Sequence, residues 1–210
     1  MKEIYTVGHS SHDNIYFLEL LKKYNINCII DIRSVPFSKY VPHFNKNVIK
    51  KFLNINGIYC IYMAEEFGAI RTNIDLFHPN GYLDFNKVKE LKSFSEGLER
   101  LKDGIKKGYK ICIMCTEKDP IDCHRSIMIA PELIKNNYSV IHIMPDGSTQ
   151  TQQQLEDRLL RMYNLNLTQQ DIFSFKKQLE DKNNLIERAL KLRNADIGYK
   201  IKKTENRITP

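Results

Sequence analysis

The feature that most constrains this chain is a set of short apolar runs, each followed at once by polar residues. Cys28-Ile29-Ile30-Asp31-Ile32 is the clearest, and Ile4–Val7, Ile58–Met63, Lys110–Met114 and Val140–Met144 take the same form. A run with little polar alternation has no face to give to water, so it marks a strand buried on both sides of a parallel sheet. Segments with apolar residues at helical spacing lie between the runs. Asp13–Tyr24 carries Ile15, Leu18 and Leu21 behind Asp13 as N-cap, and Asn45 is placed to cap a helix over residues 46–56. Asp84 is placed to cap a long amphipathic helix reaching about Lys107. Another helix begins near His124, and Pro131 is expected to kink or interrupt it. Strands alternating with helices predict an α/β fold: a mostly parallel sheet of about five strands with helices on both faces.

The α/β domain is expected to occupy residues 1–147, closing near Asp146-Gly147-Ser148. Residues 148–193 read as a helical extension, with helices at Gln150–Tyr163 and Thr168–Arg193. Residues 194–210 are basic, have little apolar periodicity and read as a loosely held tail.

Composition excludes some classes. No stretch approaches the roughly 18 apolar residues of a membrane helix, and the N-terminus lacks the apolar block of a signal peptide. Three of the five cysteines (Cys28, Cys60, Cys112) sit inside apolar runs, as reduced core residues do, so a cytoplasmic setting is expected. The net charge is +7. It is spread along the chain, which fits an anionic small molecule or nucleic acid as partner and equally fits none. No membrane partner is expected, and the sequence leaves the oligomeric state open.

In open parallel sheets, ligands bind outside the carboxyl ends of the strands. That rule gathers His9 and Ser10 after the first run and Asp31, Arg33 and Ser34 after the second. Glu65 and Glu66 follow the third, and Cys115, Thr116 and Glu117 the fourth. The segment Cys115–Ser126 joins a buried strand to a helix start, where free backbone N–H groups favour an anion. Arg125 sits at the helix end that cations disfavour, so a ligand or a buried carboxylate is its expected partner.

Three chemistries compete there. A thiolate at Cys115 or Cys123 is one, but a tyrosine-phosphatase loop needs arginine six positions after its cysteine, and positions 121 and 129 are both Ile. Zinc held by Cys115, Cys123, His124 and a histidine such as His9 is another. No Cys-x-x-Cys pair exists, and the neighbours Cys123 and His124 are expected to project apart, so neither metal nor cofactor is anticipated. The third, which is preferred, gives the chemistry to the carboxylates Asp31 and Glu117, with Cys115 beside them. His9, Ser10, Arg33, Ser34, Cys123, His124 and Arg125 then bind the substrate.

The motifs Val7-Gly8-His9-Ser10, Asp31-Ile32-Arg33-Ser34-Val35-Pro36-Phe37-Ser38, Cys115-Thr116-Glu117, Cys123-His124-Arg125-Ser126 and His142-Ile143 occur in that order. Over about residues 3–147 the chain resembles the family called domain of unknown function 488. The resemblance implies that these motif residues form a common pocket, and it names no reaction. The function expected is an enzyme, a hydrolase or transferase, acting on an anionic substrate such as a nucleotide, nucleoside or nucleic acid. A thiol-dependent sulfurtransferase- or phosphatase-like enzyme and a non-catalytic nucleic-acid or partner-binding module are the alternatives.

Overall fold

The apolar runs pair with one another in the computed structural model, which describes residues 2–165 and 182–201. The strands are β1 (Lys2–Gly8), β2 (Cys28–Asp31), β3 (Tyr59–Tyr62), β4 (Ile111–Cys115), β5 (Tyr138–Ile143) and β6 (Thr149–Thr151). They form one six-stranded sheet in the order β3-β2-β4-β1-β5-β6. All pairings are parallel except that of β5 with β6. The fold is therefore α/β, with one more strand than the expected five.

The described helices are α1 (Asn14–Lys23), α2 (Lys46–Ile55), α3 (Ala64–Phe67), α4 (Phe85–Lys89), α5 (Lys92–Lys106), α6 (Ala130–Lys135), α7 (Gln152–Met162) and α8 (Lys182–Ile197). Asp13 caps α1, its side chain accepting from the Tyr16 N–H. Asn45 precedes α2, but its side chain accepts from the Ser38 N–H instead. The single helix expected over 84–107 is two, because the chain breaks at Glu90-Leu91. A kink or interruption was expected at Pro131; instead the helix changes type without stopping, a π-helical turn, Arg125–Ile129, running directly into α6.

Strand alternation divides the core into two layers. Tyr5, Val7, Ile29, Cys112 and Met114 pack with Phe17 and Leu21 of α1 and Ile49 and Leu53 of α2. Ile4, Cys28, Ile30, Ile113 and Cys115 face the other way, onto α4, α5, α6, α7 and α8. Cys28, Cys60 and Cys112 are buried free thiols, as their apolar settings predict.

β1 and β4 are neighbours, and their following helices leave to opposite layers. Such a pair of strands marks the topological switch point of an open α/β sheet, beside which ligands bind.

The C-terminal helices are joined to this body. α8 runs to Ile197 rather than ending at Arg193, and Leu185 and Ala189 are buried against the rest of its layer. Asn194, expected to open the tail, is buried; it accepts from the Phe85 N–H and donates to the Leu83 carbonyl. The start expected for the last helix and the end of the tail lie outside the described residues.

Candidate functional site

β1 ends where its backbone meets the loop after β4: His9 and Ser10 donate their N–H groups to the Cys115 and Thr116 carbonyls. Gly8 makes that approach possible. A Cβ there would lie 1.8 Å from the Glu117 carbonyl oxygen, so no other residue fits.

The ten residues expected at the site separate into two groups on opposite layers of the sheet. On the α1/α2 layer, Arg33 clamps Asp31 through both carboxylate oxygens, at 2.8 and 2.6 Å. Its remaining nitrogen donates to the Phe44 carbonyl at 2.8 Å and lies 3.1 Å from His9 Nε2. His9 stacks on Phe44 with centroids 4.2 Å apart, and its Nδ1 lies 2.9 Å from the Ser10 carbonyl. Burial and the adjacent Arg33 push His9 down to about 3, so it stays neutral and accepts from the guanidinium. Asp31, Arg33 and His9 are all buried and satisfied by one another. Ser34 lies at the rim, its hydroxyl accepting from the Ile70 N–H.

On the other layer, Cys115, Glu117, Cys123 and His124 bring their ligating atoms within 4.8 Å of one another. Cys123 Sγ lies 2.9 Å from Glu117 Oε2, 3.8 Å from His124 Nδ1 and 3.5 Å from the Arg125 N–H. Cys115 Sγ lies 3.9 Å from the same imidazole nitrogen. Burial pushes the Cys115 thiol and the Glu117 carboxyl up. Burial also acts upward on Cys123, but the Cys115 S–H, the Arg125 guanidinium and His124 outweigh it, and its thiol is held well below the usual range. The Arg125 N–H at this helix start points to the protein's own sulfur. The Ser126 and Ile127 N–H groups are both taken by the Cys123 carbonyl.

Arg125 is fully buried and braces the loop, donating from Nη1 to the Glu117 carbonyl at 2.8 Å and from Nη2 toward the Lys118 carbonyl at 3.4 Å. That duty explains a cation at a helix start. Two further braces come from the C-terminal helices. Arg158 of α7 clamps Asp119 at 2.7 and 3.2 Å, and Arg193 of α8 donates to the Ile121 carbonyl at 3.0 Å and pairs with Asp122. Sequence reading missed both, since charge pairs between distant segments leave no local pattern.

Most strand-end carboxylates are therefore occupied: Asp31 by Arg33, Glu66 by Arg100, Asp119 by Arg158 and Asp122 by Arg193. Glu117 instead faces two thiols and an imidazole. After β2 comes a stretch from Ile32 to Ala64 with no Asp or Glu, carrying Arg33, Lys39, Lys46, Lys50 and Lys51; its first loop lies at this edge and α2 then runs back toward the other. The four lysines are exposed, as are Phe37 at 65 % and Tyr40 at 96 %. The acid-free run was visible in the sequence but is diluted in totals taken over long segments. A hollow of about 440 Å³ lined by Tyr138, Val140, Gln152 and Lys182 lies at the other end of β5, away from this edge.

No curated protein and no solved structure matches the chain. The family model described as domain of unknown function DUF488 matches residues 14–130, more than half of the chain and including β2, β4 and the Cys115–Ser126 loop. On that match, the chain belongs to the DUF488 family.

Proposed function

We propose that the chain is an enzyme acting on a nucleotide or a single-stranded nucleic acid at the carboxyl edge of its sheet, with Glu117 transferring the proton. One juxtaposition carries this reading. The strand-end carboxylate that faces two thiols and an imidazole stands in the loop after β4, and the acid-free stretch with its exposed lysines and aromatics follows the adjacent β2. Lysines on such a rim attract phosphates, and exposed aromatic rings give bases a stacking surface. Asp31 is assigned to the scaffold, because both of its carboxylate oxygens are taken by the buried Arg33 guanidinium.

The test combines binding with turnover. Fluorescence anisotropy with a single-stranded oligonucleotide should show affinity that falls steeply with salt. Y40A and the double variant K50A/K51A should each weaken binding several-fold. E117Q should bind as the parent does and lose turnover on whichever nucleotide or oligonucleotide the parent converts. Absence of oligonucleotide binding at about 50 mM salt removes the substrate assignment. Rapid alkylation of Cys123 by iodoacetamide in the native protein, with an active E117Q, would transfer the chemistry to the thiol.

A further inference from the structure

We propose that Cys115, Cys123 and His124 form a zinc site, with Glu117 beside its fourth position. The spacing of these residues matches no common structural zinc motif, which is why the sequence argues against a metal. The backbone supplies what the spacing lacks. Cys123 is extended (φ −132°, ψ 140°) and His124 is helical (φ −59°, ψ −20°), and this switch turns two adjacent side chains toward one point. Cys115 reaches the same point from the end of β4.

The distances fit a tetrahedron. With Zn–S of about 2.3 Å and Zn–N of about 2.0–2.1 Å, ideal sulfur–nitrogen edges are about 3.6 Å. The two observed sulfur–nitrogen separations are 3.8 and 3.9 Å, long for hydrogen bonds between neutral groups but near that edge length. Glu117 Oε2 stands 2.9 Å from Cys123 Sγ, beside the three donors.

Thiolate and imidazole donors select zinc over magnesium or calcium. Nδ1 as ligand puts the ring proton on His124 Nε2, which is buried with no hydrogen-bond partner among the described residues. Three protein ligands with a carboxylate at the open corner are the arrangement of a hydrolytic centre, in which the carboxylate takes a proton from metal-bound water. The ligand assignment stands independently of the proposed reaction; only this role of Glu117 rests on it.

Metal content and cobalt spectroscopy on the full-length protein provide the test. One zinc per chain is expected by mass spectrometry after purification or zinc loading, with protons released on uptake by the apoprotein. Cobalt substitution should give tetrahedral d–d bands and thiolate-to-cobalt charge transfer. C115S, C123S and H124A should each lose the metal while circular dichroism stays native, and E117Q should keep it. Failure of the folded parent to take up stoichiometric zinc overturns the site. Loading that survives C123S and H124A overturns it as well, and so does an E117Q protein as empty as C123S. If a ligand variant does not fold, the parent decides: carbamidomethylation of Cys115 and Cys123 should be blocked by zinc and restored by a chelator, and equal labelling in both states refutes the site. None of these readouts depends on knowing the substrate, so an inactive but zinc-loaded protein would fault the proposed reaction alone.

Discussion

Asp31 and Arg33 have the residue types of a catalytic pair and the contacts of a structural one. Both are buried, and each is the other's main partner. Removing one half of such a pair leaves an uncompensated charge in the interior, so D31A should lose about 3–5 kcal/mol of unfolding free energy in urea titration. A D31A protein with parental stability would show that the clamp is not holding the β2 edge. At Gly8 the constraint is steric, since any side chain there meets the loop after β4.

At the level of elements, α7 and α8 act as clamps on the loop that carries Cys123 and His124. Their arginines hold Asp119, Asp122 and the Ile121 carbonyl, and Asn194 ties α8 to the start of α4. N194A strands the Phe85 N–H and the Leu83 carbonyl in the interior, which should cost roughly 2–3 kcal/mol by thermal or urea unfolding. β2 and β4 were legible because burial on both faces writes itself into every residue of the run, whereas β3, expected to be buried on both faces, is an edge strand with Tyr59 and Ile61 exposed. β6 was not legible, because Thr149-Gln150-Thr151 is a short polar edge strand recruited only by pairing with β5. The break between α4 and α5 was equally hidden, since Phe85, Val88, Phe94 and Leu101 keep facing one core on both sides of it. The strand-end rule gathered the candidate residues, but it says nothing of layers. Asp31 and Glu117 therefore looked like partners until the side chains were placed.

For the molecule as a whole, pH acts through histidines that the fold keeps neutral. His142 lies 2.8 Å from both Thr6 Oγ1 and Gln152 Oε1, and burial with the nearby Arg125 charge pushes it down to about 3. His9 behaves in the same way. Between about pH 6.5 and 3 the unfolded chain binds protons at these positions that the native chain refuses, so stability rises with pH across that window and is lost as pH falls through it. Each histidine contributes up to about 1.4 kcal/mol per pH unit. Urea titrations across the window should show this slope, and H142Q should remove one proton's share. A slope that H142Q leaves unchanged would place the linkage elsewhere. No described helix is long and apolar enough to cross a membrane.

The clamps from α7 and α8 also set an order of events during synthesis. A chain emerges from its N-terminal end as it is made. β1 to β5, with the cysteines and His124, emerge before Arg158 and well before Arg193 exist. Until those arginines emerge, the segment with the thiols lacks its braces from α7 and α8. That interval is the time at which a soft metal ion, or an oxidant, has its easiest access to them.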